Sequence, residues 1–297
     1  MQLYKKIAIN ILALFRSELL RFKKNKQINL IEGIIFSKDR PIQLFALLES
    51  YYKNCLDPKP LNIIFNASNL NYKNAYDDIA NTYKQYPIIF IQEDDFRKTL
   101  INSLGKIISK YVFFLVDDDI FTRQFSFNDF FSIPNHKNFI FSFRLGANLK
   151  YCYTKAQNQN LPYFRKIDKF ISWDWSNGEH DWNYIFSVDG NIYSSRVIYE
   201  MAKLIPFKAP NSFEANMNVF RYIFRRKKGL CYPESVLVNL CLNRVQNEVN
   251  NIAGDISVSE LLEIWRQNKK INTNHFEGIS NISAHIEVNE LPLINKK

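Results

Sequence analysis

The sequence contains few of the residues that build disulfide frameworks or zinc sites. Its four cysteines show no CxxC spacing and lie among apolar or aromatic neighbours, which predicts buried free thiols in a reducing compartment. Its four histidines form neither an HxH nor an HExxH pattern, which argues against zinc. With only 8 glycines and 10 prolines in 297 residues, a collagenous or linker-rich chain is excluded.

Long apolar runs are also absent. The uninterrupted apolar stretch of residues 7–15 contains Asn10 and is too short to span a bilayer. No small-residue cleavage pattern follows it, so no signal peptide is predicted. Residues 1–27 instead predict a basic amphipathic helix. Such a helix suits two roles: contact with an anionic membrane surface, or packing on its own domain or on a second subunit.

The chain has ample material for a large core, because 46% of its residues are hydrophobic and 15% aromatic. Its net charge of +10 fits anionic partners such as nucleic acid, an anionic membrane or phosphorylated small molecules. No linker or low-complexity tract divides it. We therefore predict one compact domain over residues 28–290, with halves 28–123 and 124–290, and a tail at 291–297.

The first half of this domain shows regular alternation of strand and helix patterns. The predicted strands are residues 30–37, 61–68, 87–93 and 112–116, and the predicted helices are residues 41–54, 72–86 and 95–110. Four strands alternating with three helices indicate βαβ units and a mostly parallel sheet. In such sheets ligands bind beyond the carboxyl ends of the strands. The second half is mixed α/β without clean alternation.

Polar and charged side chains follow each of the four predicted strands. The stretch YVFFLVDDDIFTR, residues 111–123, leads from a buried strand into three consecutive aspartates that repel one another and need compensating charge. Strand alternation would point Asp117 and Asp119 to one side and Asp118 to the other. The other polar residues at the strand ends are Ser37, Lys38, Arg40, Asn66, Glu93, Asp94 and Asp95.

Four segments together resemble the GT-A glycosyltransferases, especially the family-two-like bacterial enzymes. FSKDRPIQLFALLES resembles their first strand and helix, and VFFLVDDDIF resembles their DxD motif. FSVDGNIYSSRVIYEMAKLIPFKAPNSFEANM is similar to the segment that leads to an acidic residue at a helix start. NRVQNEVNN and SAHIE resemble the closing segment of some members. The resemblance covers roughly residues 28–290 and implies a GT-A fold with a Rossmann-like nucleotide-binding half.

This resemblance implies a nucleotide-sugar donor, with a UDP-sugar favoured, and a divalent cation, Mn²⁺ or Mg²⁺. Such a cation neutralises the diphosphate leaving group and takes oxygen ligands. The implied metal ligands are Asp117, Asp119 and the C-terminal His285, with His275 as the second choice. The implied donor-binding residues are Ser37, Arg40, Asn66, Glu93, Asp94, Lys106, Asp117 and Asp118.

Inverting transfer requires a carboxylate that accepts the proton of the acceptor hydroxyl. By the resemblance this acid begins a helix, and Glu214 fits because Pro210, Asn211 and Ser212 favour a helix start. A first-turn Glu can instead serve only to stabilise the helix dipole. The other candidates for the base are Asp189, which also suits the donor sugar hydroxyls, and the weaker Glu179 and Asp181.

The polar stretch after residue 146 contains an aromatic cluster. Trp173, Trp175, Trp182 and Tyr184 suit a sugar-binding platform or a packed core equally.

The sequence thus predicts a metal-dependent, inverting glycosyltransferase at the inner face of the cell membrane. Its acceptor would be a glycan or lipid-linked glycan of bacterial surface polysaccharide or lipopolysaccharide synthesis. A sugar-nucleotide pyrophosphorylase is the alternative enzyme, but SKDRP replaces the expected Gly-rich start. The non-enzymatic alternatives are an inactive glycan-binding relative and a basic nucleic-acid-binding protein. No nucleic-acid motif occurs, and the basic runs RFKKNK and RRKK lie far apart in sequence, so no nucleic acid is expected as a partner.

Overall fold

The structure is a computed structural model. It describes Leu12 and residues 31–224, 227–243, 254, 256–288 and 290–296. The basic N-terminal segment 1–27 lies outside the described residues apart from Leu12. Within the described ranges no helix is long and apolar enough to cross a bilayer.

Strands and helices alternate through the first half, as the sequence predicts. The strands are β1 (Ile31–Lys38), β2 (Leu61–Asn66), β3 (Ile88–Gln92), β4 (Tyr111–Val116), β5 (Asp119–Phe121), β6 (Phe139–Ser142), β7 (Tyr151–Cys152), β8 (Gln157–Asn158), β9 (Arg165–Ile167), β10 (Phe170–Trp173), β11 (Asn191–Ser194), β12 (Lys228–Cys231), β13 (Leu237–Leu240), β14 (Lys269–Ile271), β15 (His285–Ile286) and β16 (Leu293–Asn295). The α-helices are α1 (Pro41–Asn54), α2 (Leu70–Thr82), α3 (Phe96–Lys106), α4 (Phe127–Ser132), α5 (Ser195–Leu204), α6 (Pro210–Met217) and α7 (Val258–Arg266).

A nine-stranded sheet in the order β3-β2-β1-β4-β11-β6-β12-β10-β9 forms the centre of the domain. The first four strands are parallel neighbours. β11 runs antiparallel to both β4 and β6, so β6 and its parallel neighbour β12 share the direction of β4. β10 reverses again and β9 returns to the common direction. The mostly parallel α/β fold is therefore confirmed.

Apolar cores cover the two faces of this sheet. One core contains side chains of α1, α2 and α7, and the other contains side chains of α3, α5 and α6. β4 is buried along almost its whole length, because helices cover both faces of a central parallel strand. All four cysteines are buried and free, as predicted.

Two segments differ from their sequence-based description. Residues 291–297 are predicted as a tail, yet β16 within them pairs with β14 and extends the fold. The strand predicted after residue 112 ends at Val116, and the chain turns at residues 117–118 into β5. Because of this turn, the strand alternation expected for the three aspartates does not apply to them.

Candidate active site

The acidic tip after β4 is compensated by one arginine from the loop after β1. Nη1 of Arg40 lies 3.0 Å from Oδ1 of Asp117 and 2.9 Å from Oδ2 of Asp118. A further hydrogen bond orients the Arg40 side chain, since its Nε donates to Oδ1 of Asn243 at 2.8 Å. The positive charge that the three aspartates require therefore comes from the end of the neighbouring strand β1.

Asp117 has little room for a further partner. Its Oδ2 accepts the backbone N–H of Lys38 at 3.2 Å, while Oδ1 accepts from Arg40. Burial raises the pKa of Asp117 to about 6, although Arg40 opposes that rise. The structure thus directs both oxygens of this carboxylate toward protein donors.

Asp118 and Asp119 share an amide from β13. Nδ2 of Asn239 lies 2.8 Å from Oδ1 of Asp118 and 3.4 Å from Oδ1 of Asp119, which is its partner in the β-ladder. Burial, together with the charges of Asp189 and Asp118, raises the pKa of Asp119 well above its usual range. Asn239 is neutral, so it orients these carboxylates without removing their excess negative charge.

Asp189 and His285 complete the acidic side of the site. Nε2 of His285 lies 3.8 Å from Oδ2 of Asp189, and the two side chains are 18% and 16% exposed. Burial raises the pKa of Asp189 against the opposing effects of His285 and Arg144. Nδ1 of His285 is buried and has no hydrogen-bond partner. The structure thus places the predicted C-terminal histidine beside a predicted catalytic acid.

Glu214 lies next to the same group of charges. Burial and the neighbouring charge of Asp189 raise the pKa of Glu214 to about 8, and the hydroxyl of Tyr184 hydrogen-bonds its carboxylate. The sequence predicts Glu214 in the first turn of its helix. In the structure it is the fifth residue of α6 and therefore lies beyond the first turn. The alternative role of a first-turn acid on the helix dipole therefore does not apply to it.

A buried ion pair lies close enough to Asp189 and Glu214, the two candidate catalytic acids, to interact with them electrostatically. Nη1 of Arg144 lies 3.0 Å from Oδ1 of Asp181, and both side chains are almost fully buried. Arg144 also acts electrostatically on Asp189 and Glu214. Although burial opposes it, Arg144 draws the pKa of Asp181 below its usual value, so Asp181 is already committed to a partner.

Two further polar pairs lie near the carboxyl ends of β1, β2 and β3. Nδ2 of Asn66 donates to Oε1 of Glu93 at 3.1 Å, and burial raises the pKa of Glu93. The hydroxyls of Ser37 and Tyr76 lie 2.6 Å apart, and the side chain of Ser37 also contacts Asp117. These pairs extend the site along the sheet edge.

Some predicted residues lie apart from this group. Lys106 is the last residue of α3 and lies toward the opposite edge of the sheet, where β4 begins, so the structure does not bring it to the acidic tip. Asp94 is exposed beside the N-cap residue of α3. Glu179 accepts from Asn160 at the surface, and His275 lies in a short 3-10 turn. Trp173, Trp175 and Trp182 are buried in the core and form no exposed platform.

The acidic group suits a divalent cation that is shared with a ligand. Among the described residues no three His, Cys, Asp or Glu side chains are arranged to hold a metal ion by themselves. Magnesium, however, usually takes one or two carboxylates and completes its shell with phosphate oxygens and water. The raised pKa values of Asp119 and Asp189 and the unpartnered Nδ1 of His285 are what an added cation would relieve.

Sequence reasoning missed three residues that shape the site: Arg144, Asn239 and Tyr184 in its contact with Glu214. Arg144 and Asn239 carried a signal, because each is a polar residue in or just after an apolar strand pattern, in FSFRLG and SVLVNL. Such residues need a buried partner. Tyr184 carried no signal that separates it from the buried tryptophans nearby.

Comparison with known proteins gives one curated relative and several structures of similar fold. No family model matches the chain. The bifunctional glycosyltransferase pgtA of Dictyostelium discoideum is 27% identical over 293 residues, which covers 86% of this chain and 37% of that protein. The chain therefore spans little more than a third of the length of this relative. This similarity to a glycosyltransferase over most of the chain confirms the predicted resemblance.

Solved structures show a partial structural likeness to this chain at low sequence identity. Residues 1–349 of S. aureus TarS in complex with UDP-GlcNAc are 12% identical, covering 83% of this chain and 69% of that chain at a TM-score of 0.48. GalNAc-T7 with UDP, GalNAc and Mn²⁺ is 9% identical, covering 80% of this chain and 49% of that chain at a TM-score of 0.46.

Proposed function

We propose that this chain is a metal-dependent glycosyltransferase that transfers a sugar from a nucleotide-sugar donor, with UDP-sugars favoured, to a glycan or glycolipid acceptor. One observation carries the proposal. Three acids from separate segments, Asp119, Asp189 and Glu214, converge at the carboxyl edge of the sheet, where burial and neighbouring negative charge raise the pKa of each. Such convergence of acids with perturbed pKa values is typical of a catalytic site.

The donor side of the reaction would use the acidic tip. One or two of the side chains of Asp119, Asp189 and His285 would hold a divalent cation, and oxygens of the donor diphosphate and water would complete its shell. When bound, this cation would neutralise the diphosphate that leaves the sugar. Arg40 holds Asp117 and Asp118 at 3.0 and 2.9 Å, so it would keep the tip in place between turnovers.

The nucleotide would lie along the neighbouring strand ends. The Asn66–Glu93 pair offers both a donor and an acceptor to a base or ribose, and Ser37 lies between that pair and the acidic tip. Asp94, which is exposed at the carboxyl edge of the sheet, remains a candidate for binding the nucleotide. Lys106 has no place in this arrangement because it lies toward the other edge.

Glu214 would act as the base. Its carboxylate would take the proton of the acceptor hydroxyl while that oxygen attacks the anomeric carbon and the bond from that carbon to the diphosphate breaks. Displacement from the face opposite the leaving group inverts the anomeric centre. Tyr184 donates to Glu214, and Asp189 lies between Glu214 and the acidic tip in electrostatic reach of both.

The acceptor class is proposed from resemblance. A glycan or lipid-linked glycan of a bacterial surface polysaccharide fits the resemblance stated above, and the Dictyostelium relative extends the comparison beyond bacteria. Contact of residues 1–27 with the inner face of a membrane belongs to the same proposal.

Calorimetric titration of a panel of nucleoside diphosphates, with and without Mn²⁺, tests the proposal. We expect one nucleoside diphosphate, with UDP favoured, to bind the full chain only when Mn²⁺ is present. Asp119→Asn should remove the effect of the metal while the melting temperature stays near that of the wild type. Asp78→Asn is the control, because Asp78 is an exposed aspartate on α2 that belongs to none of the candidate site residues. If no nucleotide binds the folded protein, the proposal fails.

A further inference from the structure

The amino edge of the sheet, opposite the acidic site, collects basic side chains. β4, β6 and β12 run in one direction, so the residues that precede them meet at this edge. Lys110 directly precedes β4, Lys137 lies just before β6, and Lys227 directly precedes β12. All three lysines act electrostatically on His136, which places them around one histidine. We call Lys110, Lys137 and Lys227 the amino-edge patch.

The charges of the amino-edge patch are not neutralised by ion pairs within the described residues. Another lysine near this end of the sheet is paired, since Nζ of Lys59 lies 2.9 Å from Oδ2 of Asp57. Lys227, in contrast, donates to the backbone carbonyl of Lys137. Glu32 is the acid of β1 at this edge, and its carboxylate accepts from the backbone N–H and hydroxyl of Ser109.

Exposed apolar and aromatic side chains accompany these lysines. Ile108 is 66% exposed in the short loop between Lys106, which ends α3, and Lys110. Tyr222 is 53% exposed on the segment that leads to Lys227, and the guanidinium of Arg221 lies 5.6 Å from its ring centroid. A branched aliphatic side chain between two lysines gives little to a phosphodiester backbone. It is suited to the boundary between headgroups and acyl chains.

We propose that the amino-edge patch docks this protein on an anionic phospholipid surface, with the lysines at the headgroups and Ile108 entering the interface. This contact is separate from any contact that residues 1–27 make. It uses the fold itself, because sequence-distant lysines become one surface only when the strands align.

The proposed orientation has a consequence for the acceptor, which rests on the proposed function. β4 has six residues, and at about 3.3 Å per residue its two ends lie about 20 Å apart. The acidic site at the carboxyl end would then face away from the lipid. Its acceptor hydroxyl would belong to a glycan chain extending at least that far from the membrane, and not to a sugar at the bilayer surface.

Sedimentation of the full chain with vesicles tests the docking surface without any activity assay. Vesicles of phosphatidylcholine alone are compared with vesicles that also contain phosphatidylglycerol. Each lysine at an anionic lipid surface contributes roughly fivefold to binding, and Lys227 contributes less because burial lowers its pKa to about 8, so K110Q/K137Q/K227Q should weaken binding by about 25-fold or more. The matched control K150Q/K155Q/K166Q changes the net charge equally at exposed lysines elsewhere and should stay close to the wild type.

A second variant separates lipid from other polyanions. Ile108→Ser should weaken vesicle binding several-fold and leave binding to a short oligonucleotide unchanged. The proposal is overturned if the patch variant and the lysine control bind vesicles equally. It is also overturned if Ile108→Ser has no effect while the patch binds the oligonucleotide as tightly as the vesicles, since that pattern assigns the surface to nucleic acid. UDP titration of each variant checks the acidic site separately.

Discussion

At the scale of single residues, the ionisation of Glu214 is set by its neighbours. Burial and the charge of Asp189 raise its pKa to about 8, while Tyr184 and Arg144 lower it. A base must be ionised to accept a proton, so kcat/KM should rise as the pH increases through about 8. Glu214→Gln removes the base and should lower transfer by about 100-fold or more.

Tyr184→Phe tests this assignment more finely. The substitution removes the hydroxyl that donates to Glu214 and so removes one of the effects that lower its pKa. The rising limb of the pH profile should therefore move to higher pH, measured as kcat/KM for sugar transfer. Tyr163→Phe is the control, because Tyr163 is 79% exposed. A limb that stays in place in Tyr184→Phe would mean that Glu214 is not the titrating base.

The residue scale also shows where sequence reasoning was sufficient. Three aspartates after a buried strand predict an acidic tip, and the sequence places Arg40 at the same edge of the sheet because it follows the first predicted strand. Arg144 could not be assigned, because its partner Asp181 is 37 residues away in the chain and only the folded structure joins them.

At the scale of elements, the turn before β11 fixes Asp189 in place. Gly190 donates its N–H to the carbonyl of Phe114 at 2.8 Å and accepts from the N–H of Phe143 at 2.9 Å. Its φ of +74° lies in the region that favours glycine. A Cβ at this position would lie 2.5 Å from Cδ2 of Leu237 and 3.2 Å from Cβ of Phe143, so the Leu237 side chain would have to move in addition to the backbone strain.

We expect Gly190→Ala to lower stability and to weaken the metal-dependent binding of UDP by displacing Asp189. Gly278 provides a matched control, since its φ is +66° but a Cβ there would have no atom within 4 Å. Gly278→Ala should cost only the backbone strain of roughly 1–2 kcal/mol. Chemical denaturation and calorimetry measure the two effects. Equal losses of stability, with UDP binding intact in both variants, would contradict the role of this turn.

The elements of the first half were predicted well, and those of the second half less well. α1 occupies the predicted residues 41–54, because Pro41 begins it and a regular apolar face follows. The second half contains short strands that pair with partners far away in sequence, such as β13 with β5 and β15. Such strands carry little periodicity of their own, so their pairing is decided by tertiary packing.

At the scale of the whole molecule, the parallel strands separate charge between the two edges of the sheet. Acids gather where these strands end, and lysines that form no ion pair with another described residue gather where they begin. An anionic surface would therefore be repelled from the site and attracted to the opposite edge.

Deletion of residues 1–27 tests whether the amino-edge patch binds lipid without the N-terminal segment. Among the described residues, the two cores and the acidic site are built from Ile31 onward, so the shortened chain should keep its melting temperature and its Mn²⁺-dependent binding of UDP. Its binding to phosphatidylglycerol vesicles should decrease but persist, because the amino-edge patch remains. Sedimentation and calorimetry measure these outcomes. Complete loss of vesicle binding would place all lipid contact in the N-terminal segment.

The sequence by itself determined the βαβ order, the buried strand before the aspartates and the resemblance to glycosyltransferases. These features depend on local periodicity and on residues close together in the chain. The tertiary structure decided that Arg40 compensates the aspartates, that Tyr184 contacts Glu214, and that Lys106 lies away from the site. It also brought Lys110, Lys137 and Lys227 to one edge. Strand order and direction set those distances, and neither can be read from the spacing of residues along the chain.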